Sequence, residues 1–113
     1  MSDAALFARL VDLLRPFASG LSLKADTGTN YYLEETRSTG KPQMFAAVQV
    51  KASYVSFHLF PVYCKPELLD QISPALRKRM QGKSCFNFKR LDQVPGDELA
   101  QLIGRAHESL GQG

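Results

Sequence analysis

The chain has 113 residues, 44% of them hydrophobic, and two cysteines, enough for one domain with a core that needs no disulfide framework. It has no apolar run of the roughly 18 residues a membrane helix requires, and Met1-Ser2-Asp3-Ala4 has no basic stretch ahead of an apolar one. Neither a transmembrane helix nor a signal peptide is therefore read, and a cytoplasmic setting with reduced thiols is expected. The net charge of +3 hides an asymmetry: of 14 basic side chains, Arg77, Lys78, Arg79, Lys83, Lys89 and Arg90 fall in one stretch without an acid, and the other eight stand against 11 acids.

The first element is a helix. Leu6, Phe7, Leu10, Leu13, Leu14 and Phe17 recur at helical spacing. Ser2 or Asp3 can cap its start, and Pro16 and Gly20 end it near Arg15. Leu21 to Asp26 alternates as a half-buried strand, with Leu21, Leu23 and Ala25 on one side. Thr27-Gly28-Thr29-Asn30 is turn chemistry, and Tyr31 to Glu35 returns with Tyr31 and Leu33 inward. After a polar loop from Thr36 to Pro42, a third strand (Phe45 to Lys51) and a fourth (Tyr54 to Phe60) complete an antiparallel meander. Pro61 ends the fourth strand.

Short helices are predicted at Pro66 and at Ser73-Pro74, each opened by proline, with Gly82 as the helix stop. Ser84 to Lys89 is the fifth strand, Phe86 and Phe88 on one face and Cys85, Asn87 and Lys89 on the other. Val94-Pro95-Gly96-Asp97-Glu98 opens the last helix with acids in its first turn. Its buried stripe is Leu99, Leu102, Ile103, Ala106 and Leu110, and Gly111 closes it.

This order predicts an α+β domain: a two-layer α/β sandwich, with a five-stranded, mainly antiparallel sheet covered on one face by the N- and C-terminal helices. Alternation then places Lys24, Tyr32, Glu34, Gln49, Lys51, Tyr54, Ser56, His58, Cys85, Asn87 and Lys89 on the outer face.

The runs YVSFHLFPVY (54–63), PELLDQISP (66–74) and MQGKSCFNF (80–88) resemble the YdhG-like domains of unknown function. The resemblance covers most of the chain. It implies a small bacterial cytosolic domain with a frataxin-like sandwich. It also implies an alternative function, iron handling linked to iron–sulfur assembly, because the family includes a frataxin-like iron chaperone. Frataxin-type iron sites use an acidic ridge on the first helix and adjoining strand. Here Asp3 and Asp12 stand with Arg9 and Arg15, and Asp26 with Lys24, so no metal ligand is carried over. No cofactor is expected, and iron enters only under this alternative.

The chemistry-bearing residues are sparse. His58 can act as a ligand or base on the outer face, or simply as a hydrogen-bonded strand histidine, which is the commoner case. Cys64, Cys85 and His58 lack the close pairing of zinc ligands. Cys85 can face His58 if the fourth and fifth strands are neighbours, the arrangement a cysteine nucleophile would need. Gly82-Lys83-Ser84 resembles the end of a phosphate loop, but Arg77 stands where glycine is required and the helix precedes the loop. Glu34 and Glu35 straddle the two faces of a strand. The basic run with Phe86 and Phe88 could suggest single-stranded nucleic acid, yet both rings point inward, which ranks nucleic acid below an acidic protein or small anion.

The reading is therefore a non-enzymatic binding domain for a protein partner or a small anionic ligand, without membrane association. Its candidate site is His58, Gln49, Tyr54, Asn87 and Lys89 on the face, with Arg79 and Lys83 on a basic rim. A cysteine-dependent enzyme ranks lower.

Overall fold

The computed structural model describes residues 3–37 and 39–110. Ser2 and Gly111, expected at helix ends, lie outside them. The chain runs α1 (Asp3–Leu14), β1 (Ser22–Asp26), β2 (Asn30–Glu35), β3 (Gln43–Val50), β4 (Val55–Leu59), α2 (Pro61–Cys64), α3 (Pro74–Arg77), β5 (Cys85–Phe88) and α4 (Gly96–Glu108). The sheet order is β1-β2-β3-β4-β5, and every pairing is antiparallel. β1 to β4 pair in succession through turns and short loops, whereas β5 joins β4 only after the helical segment between Pro61 and Arg77 returns the chain to the sheet. The Thr27 hydroxyl, for instance, accepts from the Asn30 amide at 3.0 Å to close the β1–β2 turn.

The helical stripes behave as their periodicity demands. Leu6, Leu10 and Leu14 of α1 and Leu99, Leu102, Ile103 and Ala106 of α4 are buried in one cluster with Val48, Phe57, Phe86 and Phe88. α1 packs against β3, β4 and α4. Pro16 does not abolish helical geometry; it tightens it, and α1 continues as a 3-10 turn over Arg15–Phe17.

Two local expectations, at β1 and Gly82, need correction, and others are refined. β1 is an edge strand, not a half-buried one. Its register passes from Leu23↔Leu33 to Ala25↔Tyr32, so Lys24 is an extra, bulged residue, and Leu23 is left 48% exposed. A bulged lysine on an open edge also discourages edge-to-edge pairing. A second bulge lies between Leu33↔Ala46 and Glu34↔Met44, and both Phe45 and Ala46 become core residues.

Pro61 opens a helical turn as well as ending β4, and the short helix at Pro66 is a 3-10 helix. Gly82 is not a helix cap, because α3 ends five residues earlier at Arg77. It sits at φ +86° in a hairpin, where the Gln81 amide donates to Cys85 O at 2.8 Å and the Asn87 amide to Arg79 O at 2.7 Å. Met80 bridges Phe86 across that hairpin, which covers the outer edge of β5.

Candidate functional site

The pairing registers lay the outer face out in rows. One row is Tyr32, Ala47, His58 and Cys85; the next is Asn30, Gln49, Ser56 and Asn87. Ala47 and Ser56 are buried, at 1% and 2% exposure, although they lie on the outer face. Both are small residues of central strands, and larger neighbours in the same row stand over them. The expectation that Ser56 is an accessible face residue therefore fails. Gln49 is held in its row: its Nε2 donates to Asn30 Oδ1 at 3.3 Å.

β4 and β5 are neighbours, and His58 Nε2 lies 3.6 Å from Cys85 Sγ. The Cys85 thiol also donates to Asn87 Oδ1 at 3.4 Å. Burial lowers the His58 pKa from 6.5, and the Lys51 ammonium lowers it further. Burial raises the Cys85 pKa, against smaller opposing effects from Lys51 and the Phe57 backbone. Desolvation, the largest influence on both groups, thus favours neutral imidazole beside neutral thiol, the reverse of the thiolate–imidazolium pair a cysteine nucleophile uses. Cys64, by contrast, is exposed on α2. Mass spectrometry of iodoacetamide-treated protein should find Cys64 modified well before Cys85; equal rates, or Cys85 first, would revive the enzyme reading.

The His58 shift has a sign for stability. Its folded-state pKa lies below that of the unfolded chain, so the unfolded chain binds the proton better. The associated stability is complete above about pH 6.5 and is lost as pH falls through the folded pKa. Urea midpoints measured from pH 7 down to pH 5 should fall less steeply in His58→Gln than in the natural chain. Parallel slopes would show that His58 is not desolvated.

The basic run does not form one rim. Lys78, Arg79 and Lys89 gather with Tyr54, Met80, Gln81 and Asn87 around a cleft of about 190 Å³ at the corner of the outer face. Lys83 and Arg77 line a different cleft, and Met80 borders both. Arg90 is drawn to Asp92 at 3.0 Å. Of the seven expected site residues, Tyr54, Asn87, Lys89 and Arg79 come together in the cleft. His58 precedes Asn87 by one row, Gln49 shares the row of Asn87, and Lys83 falls elsewhere. Lys83 as part of the same rim is a correction. Gln81 and Met80 were missed; the Gln-Gly-Lys turn between two parity-matched residues, Met80 and Phe86, was the available hairpin signal.

Phe86 and Phe88 are fully buried, so neither can stack a base. Asp12 and Asp26, from the helix and strand where an acidic ridge would lie, both approach Arg15, at 3.6 and 4.0 Å. Among the described residues, no three His, Cys, Asp or Glu side chains are placed to share a metal ion, and no helix is long and apolar enough to cross a membrane. Against protein-family models, curated proteins and solved structures, the chain finds no match.

Proposed function

We propose that the chain is a non-enzymatic binding domain that recognises a compact oxyanion, a carboxylate or phosphate group, where the outer sheet face meets Arg79. The observation that carries this reading is the cleft itself, in which three cations from two chain segments converge with the Asn87 amide and the Tyr54 phenol. Lys78 and Arg79 arrive from the end of α3, and Lys89 from the end of β5. Charge-assisted hydrogen bonds of this kind are the strong ones. At about 190 Å³ the cleft is smaller than the roughly 300–1,000 Å³ of sites that enclose a whole metabolite, which suits an anionic group presented by something larger. Lys51 reinforces the positive field, and neutral His58 and Asn87 extend the face with hydrogen-bonding groups.

The oxyanion can come from a small anionic ligand or from an acidic side chain of a protein partner. The same reading includes a frataxin-like, YdhG-like sandwich with both long helices on the inner face, supported by the strand order and by the packing of α1 on β3, β4 and α4. It also includes a cytosolic setting, supported by the two free thiols. Metal handling, the alternative that the resemblance brings, would draw on His58 and Cys85.

Heteronuclear NMR titration of the labelled chain tests the proposal, with inorganic phosphate and a glutamate-rich peptide as separate arms and anaerobic ferrous iron as a third. Shifts at Tyr54, Asn87 and Lys89 are expected. Arg79→Gln and Lys89→Gln should each weaken binding about tenfold, which corresponds to about 1.4 kcal/mol. The arm that binds more tightly identifies the source. Silence in the phosphate and peptide arms, or retention of affinity in both variants, sinks the proposal.

A further inference from the structure

Lys83 and Arg77 belong to the basic run but lie on the other side of Met80 from the oxyanion cleft. The positive φ of Gly82 turns the chain back toward β5 and carries Lys83 Nζ to 5.9 Å from the centre of the Tyr63 ring. Tyr63 is stacked on Phe60, with centroids 5.6 Å and planes 27° apart, yet 51% of it is exposed. With Phe60 stacked on it, the Lys83 ammonium over its ring and half of its surface open, Tyr63 is a shelf that already carries a cation. Arg77 reaches the same place from α3: its Nη2 donates to Leu69 O at 2.8 Å. That bond orients the guanidinium and leaves its other donors available. Neither Arg77 nor Lys83 is ion-paired among the described residues.

Between these groups lies a cleft of about 580 Å³, with Val62, Leu69 and Met80 among its walls. That volume falls within the range of small-molecule sites, roughly 300–1,000 Å³. Its chemistry differs from the first cleft. A phosphate ion would satisfy the cations but leave the accessible apolar surface of Tyr63, Pro66 and Met80 without a partner. An uncharged aromatic would cover the wall but leave two cations without a counter-ion. A ligand that matches both has a flat apolar body and one carboxylate.

We propose that this cleft binds a small aromatic carboxylate, its ring against Tyr63, Pro66 and Met80, above the buried Val62 and Leu69, and its carboxylate between Arg77 and Lys83. The aromatic body is favoured over an acyl chain because the Phe60–Tyr63 stack offers a planar surface, and ring–ring contacts add to simple area burial. The guanidinium contributes directional donors and the ammonium a mobile point charge. The site is independent of the oxyanion cleft, so each can fail while the other stands.

The test is an NMR titration of the full chain, labelled at backbone amides and at Met, Leu and Val methyls, with 1-naphthoate, 1-naphthamide and octanoate. Naphthoate should shift Val62, Leu69 and Met80 methyls and the Lys83 amide, and should bind about tenfold more tightly than the uncharged amide and than octanoate. Lys83→Gln, a change on an exposed turn, should remove most of the advantage of naphthoate over naphthamide while leaving naphthamide unchanged. Tyr63→Ala should weaken both. Equal binding of naphthoate and naphthamide, octanoate binding as well as naphthoate, an unaffected Lys83→Gln, or shifts confined to Asn87 and Lys89 would each overturn the assignment.

Discussion

Phe57→Ala is expected to destabilise the chain by about 3–5 kcal/mol, the usual cost of deleting a buried phenylalanine. Phe57 is in β4, fully buried, with its ring centre 6.2 Å from that of Phe86 on β5. Its β3 neighbour is Val48, also fully buried. The ring therefore sits where two strand pairs meet the helices, and strands on both sides hinder collapse around the cavity it would leave. Against a typical total stability of about 5–15 kcal/mol, such a loss leaves a domain of this size marginal. Urea unfolding followed by circular dichroism should show a much lower midpoint. A loss below about 1 kcal/mol would mean that Phe57 is not the core residue its 0% exposure indicates.

Glu98→Ala carries the second large effect, about 1.5–3 kcal/mol, the range for hydrogen bonds to a charged acceptor. Glu98 lies in the first turn of α4, where a carboxylate also complements the helix dipole. Its Oε1 accepts from Ser73 Oγ at 2.7 Å and its Oε2 from the Ser73 amide. Ser73 Oγ in turn accepts from the Leu76 amide at 3.2 Å and so caps α3. The carboxylate thus clasps the start of α3 to the start of α4. A double-mutant cycle with Ser73→Ala should give a coupling above about 0.5 kcal/mol. Strict additivity would show that the clasp does not hold in solution.

The clasp has a functional corollary. α3 runs directly into Lys78, Arg79 and Met80, which line the cleft proposed for the oxyanion. Loosening its start should weaken anion binding in Glu98→Ala although no cation is removed from the cleft. That places Glu98 as a positioning residue for Arg79, and it separates the variant from Arg79→Gln, which removes the charge and leaves the clasp intact.

The two clefts also explain why the basic run need not be one surface. Met80 is pinned to Phe86 by the hairpin and stands between the clefts as a fixed wall. Cations on either side of it serve different neighbours: Arg79 and Lys89 meet Asn87 and Tyr54, whereas Lys83 and Arg77 meet Tyr63 and Leu69.

What the sequence determined by itself was most of what repeats locally, the bulged edge strand β1 excepted. The stripes of α1 and α4, the alternation of Phe57 and Leu59 in β4 and of Phe86 and Phe88 in β5, and the meander order follow from periods of 3.6 and 2 and from turn residues between strands. Those signals also sufficed to put His58, Asn87 and Lys89 on one face, whereas Cys85 opposite His58 was conditional on β4 and β5 being neighbours, which the pairing register supplies. The tertiary structure alone decided what depends on register and on distant partners. Bulges at Lys24 and beside Phe45 reset which residues turn inward, and no period announces a bulge. Asp97-Glu98 reads only as a pair of helix-opening acids until Ser73, 25 residues away, is folded against it. The basic run reads as one patch until the Gly82 hairpin sends Lys83 to Tyr63 and leaves Arg79 with Lys89. Charge is written along the chain, but which charges share a cleft is set by how the chain turns between them.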